Sequence, residues 1–115
     1  MKYMLMFMRS DESFLGDPQL EAQYAAIGRW FGELGQAGKY LQGDELQPAH
    51  NATTVRWDSD SAVVTDGPFM EAKEHIAGYA VVDAADLDEA IAIASRWPAH
   101  GHAVEIRPVI DHDQH

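Results

Sequence analysis

The first apolar stretch of the chain, residues 2–9, carries large apolar side chains at almost every position rather than at every second one. In an extended strand, one side would carry Tyr3, Leu5 and Phe7, and the opposite side would carry three methionines. A strand that is apolar on both faces requires cover on both faces. Because helices in so small a domain can cover one face, we expect a second subunit to cover the other.

The next segment has the spacing of an amphipathic helix. Residues 10–16 predict a loop, and Asp17 followed by Pro18 predicts a helix start, since both residue types are favoured there. Apolar side chains then recur every three or four residues until Gly38, which predicts the helix end. The members of this stripe are Leu20, Tyr24, Ile27, Phe31 and Leu34. For Tyr24, as for the other aromatic residues of this helix, we expect core packing in preference to ligand stacking.

The middle of the chain alternates strand-forming and turn-forming segments. The strand-forming segments are 39–47, Thr53–Trp57, Ala62–Thr65 and Ile76–Val82. Pro48–Asn51 predicts a turn, and Asp58-Ser59-Asp60 predicts the turn of a hairpin between the second and third segments. Gly78 in the last segment indicates a bulge or a close approach of another backbone.

A second helix follows at Asp86-Leu87-Asp88-Glu89, a variant of the capping box, and Pro98 ends it. Residues 103–109 predict a last strand, and residues 111–115 predict a frayed polar tail. We therefore expect residues 1–110 to form one α+β domain, a ferredoxin-like sandwich of order β-α-β-β-β-α-β. Both helices would lie on one face of an antiparallel sheet, and the open faces of two sheets would pack together in a homodimer.

Composition narrows the class of protein. The chain has 115 residues, 46% of them hydrophobic, which suits one globular domain. It contains no cysteine, so disulfides and thiolate metal sites are excluded. We find no apolar run of membrane-spanning length and no standard signal peptide, and we therefore expect a soluble cytoplasmic protein. The formal net charge of −11 disfavours direct nucleic-acid binding, because such a surface repels phosphates.

The most distinctive motif is Asp66-Gly67-Pro68-Phe69, where a β-branched run stops at residues that favour a tight turn. With Lys73-Glu74 and Gly78-Tyr79 downstream, this segment resembles the DGPF branch of the YCII-related family. The likeness extends over most of residues 1–110. The resemblance implies a dimeric α/β barrel and a likeness to small-molecule enzymes of that superfamily.

Asp66 has two interpretations that the sequence leaves open. Its carboxylate could cap the turn by accepting backbone N–H groups, or it could act as an acid or base in a pocket at the sheet edge. Glu74 could be a solvated charge, or it could turn inward while its neighbours face water. We take Asp66 and Glu74 as candidate catalytic residues. The candidate substrate-binding residues are Arg29, Phe69, Lys73 and Tyr79.

Other kinds of site find less support. Of the six histidines, His100 and His102 flank a glycine and others lie in the tail, so we expect no working metal site. The chain has no phosphate-binding or dinucleotide motif, and we expect no cofactor. Some YCII-related proteins are thought to use a His–Asp pair with the histidine on the first helix. Residues 18–37 contain no histidine, so that pair has no counterpart here.

Two functional hypotheses follow. In the first, the protein binds an unknown small molecule and catalyses proton transfer, isomerisation or elimination, with Asp66 as acid or base. In the second, it is a non-catalytic accessory or regulatory module, because DGPF proteins resemble partners encoded near extracytoplasmic-function sigma factors. A protein partner in transcription regulation would then replace the substrate.

Overall fold

The computed structural model describes residues 1–10, 20–69, 74–99 and 103–113. Within these residues the order contains two α-helices and six strands. The strands are β1 (Lys2–Arg9), β2 (Tyr40–Glu45), β3 (Thr53–Asp58), β4 (Ser61–Asp66), β5 (His75–Asp83) and β6 (Val104–Pro108); the helices are α1 (Leu20–Gln36) and α2 (Leu87–Ser95). Four strands lie between the helices and match the four strand-forming segments of the sequence, although the predicted order β-α-β-β-β-α-β counts only three. The predicted hairpin, β3 and β4, forms a separate two-stranded sheet.

The other four strands form one antiparallel sheet of order β2-β5-β1-β6. Strand β1 lies in the interior of this sheet, where Leu5 pairs with Ala80 on one side and with Ile106 on the other. The predicted α+β class and the antiparallel sheet are confirmed.

Both helices pack on the same face of the sheet. The buried cluster on this face joins Tyr3, Leu5 and Phe7 of β1 to Trp30 of α1 and Ile93 of α2. The indole N–H of Trp30 donates to the carbonyl oxygen of Ile93 at 3.1 Å, so the two helices are also linked by a buried hydrogen bond. No helix in the described part of the chain is long and apolar enough to span a membrane.

Two of the four predicted helix ends are confirmed, and α2 ends at Ser95, ahead of the predicted stop at Pro98. Asp86 caps α2 by accepting the backbone N–H of Glu89 at 2.9 Å, and Glu89 accepts the N–H of Ala85 in return. Gly38 ends α1 with a φ of +72°, a conformation that favours glycine. The predicted start at Asp17 and Pro18 lies outside the described residues.

The second face of the sheet carries no helix in the described part of the chain. On this surface, which we call the open sheet face, Met6 and Val81 are buried at 8% and 6% exposure, and Met4 beside them is half-buried. None of the three belongs to the buried cluster under the helices. The molecule measures only 18 Å along its shortest axis, the thickness of one sheet and one layer of helices.

Candidate functional site

A row of three residues across neighbouring strands creates a cavity between the sheet and α1. Phe7 of β1 pairs with Gly78 of β5, and Gly78 pairs with Glu45 of β2. The central position of the row has no side chain, so a space remains between the phenyl ring and the carboxylate. Helix α1 covers this space, which we call the α1 pocket.

The floor and walls of the α1 pocket are aromatic and aliphatic. The ring of Phe7 stacks on the indole of Trp97, with ring centroids 3.8 Å apart. Phe31 meets the same indole edge to face at 6.2 Å, and Ile27 adds an aliphatic wall. Because these side chains are fixed by the core behind them, the floor is rigid.

The polar side of the pocket is formed by Arg9, Tyr24, Asp44 and Glu45. The phenol of Tyr24 donates to Oε1 of Glu45 at 2.7 Å. This hydrogen bond is the main reason why the pKa of Tyr24 is raised, and the charge of Arg9 partly opposes the rise. Tyr24 is therefore a neutral hydroxyl at physiological pH, with a carboxylate as its partner.

The cavity volume limits what the pocket can hold. It measures about 80 Å³, well below the roughly 300–1,000 Å³ of pockets that enclose drug-sized ligands. Such a space admits a small ring or a short acyl group. It is too small for a nucleotide.

The close approach of another backbone that was predicted at Gly78 is confirmed. A Cβ atom there would lie 3.0 Å from the carbonyl oxygen of Asp44, closer than side chains normally pack. A β-bulge follows directly, where the register shifts between Phe7 and Met8, and Ala77 beside it lines the pocket. Bulges are frequent next to functional sites because they redirect side chains.

Asp66 lies away from this pocket, at the end of β4 and on the exposed hairpin. Gly67 adopts a φ of +102°, and its N–H donates to the carbonyl of Ala52 at 2.7 Å, so the predicted tight turn is present. The carbonyl of Gly67 also accepts the hydroxyl of Thr54 at 2.7 Å. Among the described residues, the Asp66 carboxylate has no hydrogen-bond partner, so these backbone contacts hold the turn without it.

The remaining predicted site residues are dispersed. Glu74 is half-buried just before β5, Arg29 is exposed on α1, and Phe69 is 70% exposed after the turn. Tyr79 points to the open sheet face, where its hydroxyl donates to Asp44 at 3.2 Å and this bond raises its pKa. None of these four lines the α1 pocket. The prediction for Lys73 falls outside the described residues.

Metal-ligating side chains do not cluster in the described part of the chain. The described residues contain no group of three or more histidine, aspartate and glutamate side chains that could hold an ion. His100 and His102 lie outside the described residues.

Sequence reasoning missed the polar side of the α1 pocket. Arg9 ends an apolar strand and Glu45 ends a short one, so each looks like an ordinary strand terminus. Tyr24 belongs to the apolar stripe of α1, yet its hydroxyl needs a polar partner. The available signal was Gly78, since a glycine between large residues on neighbouring strands leaves a space.

Comparison with known proteins gives the family. A model of the YCII-related domain matches residues 1–113. The chain is also 33% identical, over 97 residues, to "Uncharacterized protein R00369" of Rhizobium meliloti (strain 1021), and the match covers 81% of this chain and 75% of that protein. The chain therefore belongs to the YCII-related domain family.

Proposed function

We propose that this protein binds a small organic molecule in the α1 pocket. The observation that carries the proposal is the meeting of a rigid aromatic floor with the Tyr24–Glu45 hydrogen bond and the Arg9 guanidinium. Ligand sites in proteins combine apolar walls with a few placed polar groups in this way. We assign the chain to the DGPF branch of the family on its Asp66–Phe69 segment. The likeness of that branch to small-molecule enzymes of the dimeric α/β-barrel type supports the proposal.

The lining of the pocket favours a particular class of ligand. A planar or cyclic group would pack against Phe7 and Trp97, which already stack on each other. A carboxylate or carbonyl oxygen on that group would meet Arg9, whose guanidinium suits planar oxygen acceptors. Small cyclic acids and lactones combine both properties and fit the cavity volume.

The same residues suggest proton transfer as the reaction. The neutral Tyr24 hydroxyl would donate a hydrogen bond to a ligand oxygen that becomes negative during the reaction. Glu45, freed from that hydroxyl, would accept a proton from the ligand carbon. Isomerisation and elimination are both reactions of this type. Asp66, the candidate acid or base of the sequence analysis, is the competing candidate for the role of Glu45.

A thermal-shift screen with small cyclic acids and lactones tests the proposal. We expect Arg9→Gln and Tyr24→Phe to weaken the binding of any hit by about 10–100-fold, the value of a hydrogen bond to a charged group. Arg29→Gln is the matched control, because it removes the same kind of charge from α1 at a position that does not line the pocket.

Binding at a site other than the α1 pocket would affect different variants. If Arg29→Gln or Asp66→Asn weakens binding while Arg9→Gln and Tyr24→Phe do not, the ligand binds elsewhere and the proposal is wrong. Circular dichroism of each variant separates loss of binding from loss of the fold.

A further inference from the structure

A second cavity lies between the C-terminal half of α1 and the end of α2. Its floor is apolar, because Trp30 and Leu34 line it and are only 6% and 5% exposed. Ala37 adds a small apolar wall. We call this space the interhelix cavity. It shares no lining residue with the α1 pocket, so the two are separate candidate sites.

Three charged side chains line the interhelix cavity. Lys39 donates to Oε1 of Glu89 at 2.7 Å, so its charge is matched within the protein. Glu33 and Arg96 have opposite charges and line the same cavity, yet no ion pair in the described structure joins them. The cavity therefore holds a negative and a positive group apart above an apolar floor.

The position of Glu33 is not explained by the stability of its helix. Helix α1 ends at Gln36, so Glu33 lies in the last turn, which contains no basic residue. The C-terminal end of a helix carries a partial negative charge, and a carboxylate there is unfavourable. Arg96, at the C-cap of α2, has the favourable sign. A residue that opposes its local structure, as Glu33 does, is a candidate for function.

Charge and volume define what the interhelix cavity can hold. The positive charges of Lys39 and Arg96 balance those of Glu33 and Glu89, so the surroundings favour a ligand without net charge. The volume is about 130 Å³, larger than the 80 Å³ of the α1 pocket and below the roughly 300–1,000 Å³ of drug-sized sites. A carboxylate matches the guanidinium fork of Arg96, and an ammonium group matches the carboxylate of Glu33.

We propose that the interhelix cavity binds a small amino acid as its zwitterion. The carboxylate of the ligand would contact Arg96, its ammonium group would contact Glu33, and its carbon chain would lie over Trp30. Such a ligand completes both charges at once, which no simple anion or cation can do. The site goes beyond the proposed function in the α1 pocket and does not depend on it.

A titration of ¹⁵N-labelled protein with glycine, β-alanine and 4-aminobutyrate tests the site. The three amino acids separate the ammonium and carboxylate groups by an increasing number of carbons. Trp30 is the reporter, because it lines the cavity and its indole N–H is held by the carbonyl oxygen of Ile93. We expect its signal to shift, with a dissociation constant on the order of 1 mM for the best-fitting amino acid. Propionate and ethylamine carry only one charge each and should bind at least about tenfold more weakly.

Single substitutions identify the two charged contacts. Glu33→Gln and Arg96→Gln should each weaken amino-acid binding about tenfold or more, because each removes a hydrogen bond between charged groups. Arg29→Gln is the matched control, since it removes a positive charge from α1 outside the cavity, and it should bind like the wild type. Thermal unfolding followed by circular dichroism verifies that each variant is folded.

Three results would overturn the proposal. The Trp30 signal could stay unchanged with every amino acid at about 50 mM, well above the expected dissociation constant. Propionate could bind as tightly as the amino acids with no effect of Glu33→Gln, which would show an adventitious anion on Arg96 only. The amino acids could shift Trp97 and leave Trp30 in place, which would put them in the α1 pocket. Failure of this site leaves the α1 pocket to be tested by Arg9→Gln and Tyr24→Phe, which line only that pocket.

Discussion

The α1 pocket and the β3–β4 hairpin both combine aromatic or aliphatic side chains with a carboxylate, but they differ in what surrounds it. Glu45 accepts the hydroxyl of Tyr24 beside Arg9 and an aromatic floor. Asp66 stands exposed at the end of β4 and has no hydrogen-bond partner among the described residues. The difference shows that a conspicuous sequence motif can specify a turn, whereas a pocket requires residues from distant parts of the chain.

Two tryptophans give the largest contrast between these regions. Trp97 is 8% exposed and stacks on Phe7, whereas Trp57 is 71% exposed on the hairpin. We expect Trp97→Ala to lower the free energy of unfolding by about 3–5 kcal/mol, because it leaves a cavity in the core. Trp57→Ala should change it by less than about 0.5 kcal/mol in the monomer.

Urea denaturation at low protein concentration, where any dimer is dissociated, measures both variants. An equal loss of stability would mean that the hairpin packs on the body of its own protomer, and the contrast between the two regions would fail.

Two aspartates give an intermediate contrast. Asp86 caps α2 through the N–H of Glu89, and Asp66 has no such contact in the described structure. Loss of a cap of about 1 kcal/mol should lower the thermal midpoint of Asp86→Ala by roughly 4–8 °C. Asp66→Ala should keep the midpoint of the wild type. A comparable fall for Asp66→Ala, measured by differential scanning calorimetry, would restore its interpretation as a turn cap.

The smallest expected effect is the pH dependence of stability that comes from Glu89 on α2. Lys39 donates to Glu89 at 2.7 Å, and this bond, with the N–H of Ala85, lowers the pKa of Glu89 below its ordinary value of 4.5. A carboxyl group with a lowered folded pKa stabilises the fold above its unfolded pKa, and this contribution is lost as the pH falls through the folded value.

Glu89→Gln should therefore destabilise the protein slightly at neutral pH and reduce the loss of stability on acidification. Thermal midpoints from neutral pH down to about pH 3 provide the measurement. Carboxyl groups titrate between about pH 5 and pH 3. If the midpoint of Glu89→Gln falls as steeply as that of the wild type in this range, the role of Glu89 is contradicted.

Much of the fold could be predicted from local pattern. The spacing of apolar residues in α1, the cap at Asp86 and the turn at Gly67 depend on neighbours in the sequence, and each is confirmed. The separation of β3 and β4 from the main sheet was not predicted, because alternation specifies which side chains share a face and not which strand lies beside them.

The site was harder to predict for a related reason. Arg9, Tyr24 and Glu45 come from β1, α1 and β2, and only the folded chain brings them together over Gly78. In the sequence, Arg9 and Glu45 look like ordinary strand termini, and Tyr24 looks like a member of the apolar stripe of α1. The predicted site residues other than Arg29, by contrast, follow one another along the chain from Asp66 to Tyr79, and those that the structure describes lie on different surfaces.

We propose the α1 pocket, and not the hairpin, as the ligand site. The chain has three tryptophans, so its indole N–H signals in a ¹⁵N-labelled sample can be assigned with single Trp→Phe variants. Titration with a hit from the acid and lactone screen should shift the Trp97 signal and leave the Trp57 signal in place. A ligand that shifts Trp57 and leaves Trp97 unchanged would contradict the claim and move the site to the hairpin.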